Sequence, residues 1–261
     1  MKKILVAIVL IIIGFPFILK NSPALEQEIP LHNESVHNGE LILVNKETKL
    51  QQDPTNLAVI PSNLASNVVV DSEYLLEKKV IEPLQKMFEQ AANDGIHHFK
   101  INSAYRSGNL QQQLYEENGA SYALPTGYSE HQSGLSLDIG STQGTMEKTL
   151  EGEWLAKNAA DYGFILRYPK NKVDVTGIAF EPWHFRYVGL PHSVMMEKKN
   201  FALEEYLLFL KEKRHYKKQI KGITYYVQYV ENMEVAHIPN TDQVNISGDN
   251  HTGYIITSVI N

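Results

Sequence analysis

The sequence predicts an α+β fold, with a central, mainly antiparallel sheet that has helices on one face and a cleft on the other. Apolar residues recur three and four positions apart over residues 72–91, as on the buried face of a helix. They alternate with polar residues over 99–105 and over 135–139, as in half-buried strands. With 261 residues, 43% of them hydrophobic, the chain can bury one sizeable core.

The N-terminal segment predicts export. Lys2 and Lys3 form a short positive region, and an apolar run from Ile4 to Leu19 follows them. This run is shorter than the roughly 20 residues that span a bilayer comfortably. Residues 1–24 are therefore expected to be either a cleaved signal peptide or a retained membrane anchor.

The rest of the chain divides into three predicted parts. Residues 25–40 are polar, lack periodicity and indicate a linker. Residues 41–196 form the predicted main domain. Beside the segments above, it is expected to contain a strand at 41–46, helices at 109–118 and 147–161, and strands at 164–168 and 183–188.

Residues 197–261 predict a small C-terminal helix and β appendage. An amphipathic helix is expected over 197–218, followed by strands at 224–230, 233–238 and 254–260. Two interpretations stay open: a packed sheet with a solvated helix face, or a surface that binds a polymer or a partner.

Composition excludes one class of partner and restricts any metal site. A net charge of -6 gives no basic field to hold phosphates, so nucleic acid is not expected as a partner. The chain has no cysteine, so a transition metal must be held by histidines and carboxylates.

Two short stretches predict a metal site. His131 lies seven residues before Asp138, and His184 lies three residues after Glu181. Two imidazoles and a carboxylate are three ligands for zinc and leave a fourth position for water, with Glu181 as a candidate base. Because Gly134 and an alternating run follow His131, a loop and a strand rather than a helix are expected to bring the ligands together. The other eight histidines are expected to be surface or packed residues.

The same stretches carry a family resemblance. The segments Ser103–Ser107 with Gln111, Gly127–Asp138 and Glu181–Phe185 resemble the signature blocks of VanY-type D-alanyl-D-alanine carboxypeptidases. That family belongs to the zinc peptidase superfamily, which also includes VanX-type dipeptidases, lysostaphin-like endopeptidases and the hedgehog signalling domain. The resemblance covers about residues 40–190, and it departs from the family pattern at Ser136, where alanine is usual.

The resemblance implies a catalytic zinc site in the predicted cleft. His131, Asp138 and His184 would hold one Zn²⁺, and Glu181 would take a proton from the water and give it to the leaving amine. Arg106 would stabilise the oxyanion of the tetrahedral intermediate. A structural salt bridge at the end of a strand is the alternative for Arg106.

The resemblance also suggests neighbours of the site. Candidate substrate contacts are Tyr105, Gln111, Ser133 and Trp183, each weighed equally against a packing or turn role. Glu130, next to the first histidine, is expected to be a solvated neighbour rather than a ligand.

The expected reaction is hydrolysis of the terminal D-Ala-D-Ala bond of peptidoglycan stem peptides or their lipid-linked precursors. It would occur at the outer face of the cytoplasmic membrane or in the cell wall of a bacterium, by a monomer, and glycopeptide resistance is a family-level implication. Three alternatives remain: cleavage of another D,D- or an L,D-bond, a dipeptidase activity, or a non-catalytic zinc-binding wall module.

Overall fold

A computed structural model describes residues 23–119 and 123–260 of the chain. Its strands are β1 Gln27–Pro30, β2 Leu57–Val59, β3 Val68–Val69, β4 Leu75–Glu77, β5 Phe99–Ser103, β6 Ser136–Ser141, β7 Phe164–Leu166, β8 His184–Tyr187, β9 His215–Ile220, β10 Ile223–Glu231, β11 Val235–Ile238, β12 Val244–Gly248 and β13 Gly253–Ile260. Its α-helices are α1 Lys78–Asn93, α2 Gly108–Asn118, α3 Leu150–Asn158, α4 Val173–Thr176, α5 His192–Lys199 and α6 Leu203–Lys213.

Almost all of the predicted signal peptide or anchor lies outside the described residues. Within the described ranges, no helix is long and apolar enough to cross a membrane.

The central sheet has the strand order β3-β5-β6-β8-β7. Its neighbouring strands run antiparallel except for the parallel pair β3 and β5. The register sets Asp138 on β6 opposite His184 on β8 and opposite Ser103 on β5. Two distant stretches of sequence therefore meet at one point of the sheet.

Helix α1 supplies much of the main core. Its buried residues recur at helical spacing and share one hydrophobic cluster with Leu137 and Ile139 of β6. Asp138, between those two, contacts His131 and His184 instead. The predicted start at residue 72 is wrong, because residues 75–77 pair with β2 as β4 before the helix begins.

Two N-terminal predictions are corrected. The predicted linker at 25–40 contains β1, which pairs with β11, and Leu31 is buried with Ile238 in a third cluster. Residues 41–46 are not a strand, because their carbonyls accept hydrogen bonds from side chains, Ile42 from Arg186 and Leu43 from Asn250, rather than from a neighbouring strand.

The C-terminal part is a four-stranded sheet, β12-β13-β10-β9, with α6 beside it. The predicted helix 197–218 is too long, since α5 ends at Lys199 and β9 begins at His215. Leu203 and Leu210 of α6 share a hydrophobic cluster with Leu41, Ile165 and Val188. The predicted boundary between residues 196 and 197 therefore crosses a continuous hydrophobic cluster.

Candidate metal centre

A tight turn positions the first histidine. His131 lies in a 3-10 turn, Glu130–Ser133, and Gly134 follows with φ of 69°. A Cβ on Gly134 would meet only the tip of the Leu57 side chain at 2.8 Å, so this position favours glycine chiefly for its positive φ. The chain then enters β6, which carries Asp138.

The structure brings His131, Asp138 and His184 together. One ligand atom from each residue lies within 4.8 Å of the others. His131 Nε2 is 3.4 Å from Asp138 Oδ2, and His184 Nδ1 is 3.2 Å from Asp138 Oδ1. The three side chains point at a common space, as the sequence predicts.

Hydrogen bonds on the far side of each ring determine which nitrogen faces the cluster. His131 Nδ1 donates to Ala104 O at 2.7 Å, which leaves Nε2 to face Asp138. His184 Nε2 donates to Glu130 Oε2 at 3.3 Å, which leaves Nδ1 to face Asp138. Each imidazole therefore presents one defined nitrogen to the cluster.

The donor set fits a divalent transition metal. Asp138 Oδ1 is buried, and the polar atom beside it, His184 Nδ1 at 3.2 Å, lies outside good hydrogen-bond geometry, so a cation between the two would satisfy the oxygen. Burial raises the pKa of Asp138, but His131 and His184 lower it by a larger amount. The net pKa lies below its ordinary value, so the carboxylate is ionised. Two imidazole nitrogens and one carboxylate suit zinc.

Protons must leave the cluster when a metal binds. Burial lowers the pKa of His184, but the neighbouring carboxylates of Asp138 and Glu130 outweigh it and raise that pKa to about 9. Since Glu130 retains the Nε2 proton, the proton lost on metal binding is the one on Nδ1.

Glu181 lies beside the cluster in the turn before β8. Its Oε2 is 3.7 Å from His184 Nδ1, and its side chain is 29% exposed. Burial raises the pKa of Glu181, although His184 and Arg106 oppose the rise. A partly exposed carboxyl with a raised pKa is suited to accepting and returning a proton near neutral pH.

Arg106 borders the cluster from the loop after β5. Its Nη2 is 3.4 Å from Asp138 Oδ2, and it also donates to Ser103 Oγ and Gln111 Oε1 at 3.1 and 3.3 Å. Gln111 is buried and donates to Leu124 O. Arg106 therefore lies next to the predicted ligands, and Gln111 holds it there.

The predicted substrate contacts separate into two groups. Gln111 and Ser133 are buried and hydrogen-bonded within the protein; Ser133 Oγ donates to Glu130 O at 2.6 Å and accepts from Leu135 N. These contacts assign both to the packing or turn alternative. Trp183 is 42% exposed between Glu181 and His184, and Tyr105, next to Arg106 in the chain, is half-buried, so neither side chain is enclosed by the protein.

The expectation that Glu130 is a solvated neighbour is wrong. Its side chain has no exposed surface, and its Oε1 accepts from Arg186 Nη1 at 2.7 Å and from Arg167 Nε at 2.9 Å. Burial raises the pKa of Glu130, but the two guanidinium groups and His184 hold it well below its ordinary value. A signal was present in the sequence, because both arginines stand within otherwise apolar or aromatic predicted strands.

Comparisons with known proteins identify relatives of this chain. A sequence model of the family "VanY: D-alanyl-D-alanine carboxypeptidase" matches residues 73–190. A D-alanyl-D-alanine carboxypeptidase of Enterococcus faecium is 43% identical over 248 residues, which are 92% of this chain and 82% of the relative.

Two solved structures are similar over the fold. The vancomycin resistance D,D-dipeptidase VanXYg, in complex with a D-Ala-D-Ala phosphinate analog, has a TM-score of 0.77 at 31% identity and covers 90% of this chain and 99% of its own. A variant of the D,D-pentapeptidase VanY from a VanB-type resistance cassette, in complex with Zn(II), has a TM-score of 0.55 at 28% identity over 64% of this chain and 98% of its own.

These similarities extend beyond residues 73–190, and the relative from Enterococcus faecium matches most of both chains. The sequence blocks around His131, Asp138 and His184 also meet in the fold at one point of the sheet. The chain belongs to the VanY family of D-alanyl-D-alanine carboxypeptidases.

Proposed function

We propose that this protein hydrolyses the terminal D-Ala-D-Ala amide bond of peptidoglycan stem peptides. The observation that carries the proposal is the cluster of His131, Asp138 and His184, with Glu181 3.7 Å from one of its ring nitrogens. Three side chains that can hold a metal, with a carboxyl beside them, are the arrangement of a hydrolytic zinc site.

One Zn²⁺ ion is proposed to be held by His131, Asp138 and His184. When bound, zinc lowers the pKa of its water towards neutrality and polarises a carbonyl oxygen. The ion would lie on the side of the central sheet away from α1, since Leu137 and Ile139 face α1 in the core while Asp138 alternates to the other side.

Glu181 and Arg106 carry the proposed chemistry of the chain itself. Glu181 accepts a proton from the attacking water as the new C–O bond forms, and it then delivers that proton to the nitrogen of the departing D-alanine as the C–N bond breaks. Arg106 donates hydrogen bonds to the oxyanion from its position beside Asp138. Trp183 and Tyr105 are the proposed substrate contacts, because both are accessible and they neighbour His184 and Arg106 in the sequence.

A dipeptidase activity is the second candidate, because VanXYg, which is named a D,D-dipeptidase, is similar over 90% of this chain. One assay separates the candidates. The zinc-loaded protein is incubated with a pentapeptide and a tetrapeptide stem and with free D-Ala-D-Ala, with and without a chelator, and the products are read by mass spectrometry.

Release of one D-alanine from the pentapeptide, abolished by the chelator, is the expected result. Cleavage of the free dipeptide alone would establish the second candidate, and release from the tetrapeptide alone would indicate an L,D-specific enzyme. Absence of any chelator-sensitive cleavage would leave a zinc-binding wall module and contradict the proposal.

The proposed location is outside the cytoplasmic membrane, where lipid-linked precursors ending in D-Ala-D-Ala are also candidate substrates. Its support is the positive and then apolar N-terminal sequence, with membrane anchoring as the alternative to cleavage. We propose a monomer as the working state. Removing the terminal D-alanine would remove the end of the peptide that vancomycin-type antibiotics bind.

A further inference from the structure

The Nε2 edge of the His184 ring, which points away from Asp138, contacts a buried ionic network. This edge is called the rear of His184. Glu130 accepts four hydrogen bonds: its Oε1 from Arg167 and Arg186, and its Oε2 from Ser136 Oγ at 3.0 Å and His184 Nε2 at 3.3 Å. Four donors use the acceptor capacity of an ionised carboxylate. The orientation of Glu130, and through it that of the His184 ring, is therefore fixed from behind.

Arg186 connects this carboxylate to the N-terminal segment. Its Nη2 donates to Glu40 O and Ile42 O at 3.0 and 2.9 Å. The Glu40 carboxylate in turn accepts from Asn245 on β12 at 3.0 Å. Arg186, one of the two arginines that hold Glu130, is thus hydrogen-bonded to residues 40–42, and these are hydrogen-bonded to the C-terminal sheet.

Arg167 connects the same carboxylate to α6. Its Nη1 and Nη2 donate to the two oxygens of Glu204 at 2.9 and 2.6 Å, while its Nε donates to Glu130. Glu204 stands in the first turn of α6, where a negative charge is favourable, and Asn45 Nδ2 also donates to it. The second support therefore comes directly from residues 197–261.

The network is balanced in charge, and its centre is closed to water, whereas Glu204 at its edge is 16% exposed. Two carboxylates, Glu130 and Glu204, face two guanidinium groups, and the side chains of Glu130, Arg167 and Arg186 have no exposed surface. Such an arrangement gains little stability over apolar packing, because desolvation offsets the attraction. What the ionic network provides, and apolar side chains in the same place would not, is a fixed orientation of the His184 ring.

We propose that Glu130 is a positioning residue of the metal centre and that the C-terminal region supports it through Glu204. The inference rests on the proposed function insofar as His184 is a metal ligand. Glu130 keeps the proton of His184 on Nε2, so that Nδ1 is free for the ion, and the two arginines keep Glu130 in place. The Ser136 hydroxyl, present where the family usually has alanine, is a fourth donor to this carboxylate.

The test compares four variants with the wild-type protein. Glu130→Gln keeps the shape of the side chain but presents an amide that must direct its NH₂ group either at an arginine or at His184 Nε2, where it would favour the wrong tautomer. Glu204→Gln removes the outer charge, and Ser136→Ala removes one donor. Glu205→Gln is the matched control, because Glu205 is the next residue of α6 and pairs with Lys172 instead.

Zinc affinity, measured by competition with a chromogenic chelator in the absence of substrate, is the main readout. Loss of a hydrogen-bond partner behind a metal-binding histidine typically weakens metal binding by about 10–100-fold, which is the expected effect of Glu130→Gln. Glu204→Gln is expected to weaken it by less than about tenfold, and Ser136→Ala by less again, since each acts through Glu130. Glu205→Gln is expected to bind zinc as tightly as the wild type.

A merely structural role of Glu130 would lower the melting temperature and leave the zinc affinity of the folded protein unchanged. Unchanged affinity in folded Glu130→Gln would therefore overturn the proposal. If Glu130→Gln does not fold, the proposal depends on Glu204→Gln, and an affinity equal to that of Glu205→Gln would overturn it. A wild-type protein that binds zinc tightly but cleaves no peptide would contradict the proposed function and leave this inference standing.

Discussion

The two sides of His184 differ in exposure and in chemistry. On the front, which faces the metal cluster, the side chains of Arg106 and Glu181 are 21% and 29% exposed. On the rear, Glu130 and the two arginines that hold it have no exposed surface. The front therefore has groups that can reach a substrate, whereas the rear has groups that can only hold the histidine.

The charged residues of the site therefore have two different roles, which follow from their exposure. A group that exchanges protons with a substrate needs access and a pKa that solvent and substrate can shift. A group that fixes a ring needs burial and a full set of hydrogen bonds. Substitutions on the front should change turnover, and substitutions on the rear should change metal binding.

The largest effect is expected from removing a proposed ligand at the boundary of the two sides. Asp138→Asn replaces an ionised carboxylate by a neutral amide, so zinc binding and peptide cleavage should both fall to background. Zinc content by atomic absorption and D-alanine release check this. Asp71→Asn, which breaks an exposed pair with Lys100, is the control and should keep both properties. Full zinc content with full cleavage in Asp138→Asn would remove Asp138 from the ligand set.

Substitution of Glu181, on the side of His184 that faces the metal cluster, is expected to have a large effect on turnover alone. Glu181→Gln cannot accept the proton of the attacking water, and loss of such a general base typically lowers kcat by about 10²–10⁴. Zinc affinity should stay within a few-fold, because the three proposed ligands remain. Steady-state kinetics at saturating zinc are the measurement. Glu147→Gln, in an exposed pair with Lys170, should leave kcat unchanged.

A somewhat smaller effect on turnover is expected at Arg106. Arg106→Gln removes the positive donor beside Asp138, and loss of one oxyanion donor typically lowers kcat by about 10²–10³. Gln111→Ala, which frees Arg106 from its buried partner, should lower kcat by less. A rise in KM alone, with kcat unchanged, would instead assign Arg106 to substrate binding.

The sequence predicted the front of the site better than the rear. His131, Asp138 and His184 were identifiable because ligand types and spacings are local patterns, and the alternation around Leu137 and Ile139 predicted the strand that carries Asp138. The arginines within the predicted strands indicate that buried carboxylates are needed, but Glu130 lies 37 and 56 residues away from them, and no local pattern identifies it as their partner.

The errors in the fold have the same origin. β1 was not predicted because its partner strand, β11, lies some 200 residues later, and a four-residue strand is too short to display a periodicity. The early part of the predicted first helix is β4, since pairing with β2 outweighs the local preference of residues 75–77. Long-range pairing, rather than composition, decides these segments.

The smallest effect on the site is expected behind the rear network, where α5, α6 and the C-terminal sheet meet. Tyr206 Oη hydrogen-bonds His192 Nδ1 at 2.6 Å and Tyr216 Oη at 2.7 Å, all buried. Tyr206→Phe should lower the free energy of unfolding by about 1–3 kcal/mol, because it leaves buried polar groups unsatisfied. Zinc affinity and kcat should not change.

Denaturant unfolding checks the effect of Tyr206→Phe. Tyr254→Phe, whose hydroxyl bonds Glu34 O at an exposed position, is the matched control and should cost less. A drop in zinc affinity in Tyr206→Phe would show that packing where α5, α6 and the C-terminal sheet meet also affects the metal centre.

The division of roles between the two sides of His184 is tested most directly by measuring zinc affinity and kcat on the same preparations of Glu181→Gln and Glu130→Gln, with the pentapeptide as substrate. The two variants are expected to show opposite patterns: Glu181→Gln loses turnover and keeps its zinc affinity, whereas Glu130→Gln loses zinc affinity and recovers much of its turnover when zinc is saturating. If both variants lost the same property to the same degree, the division between a chemical front and a positioning rear of His184 would be wrong.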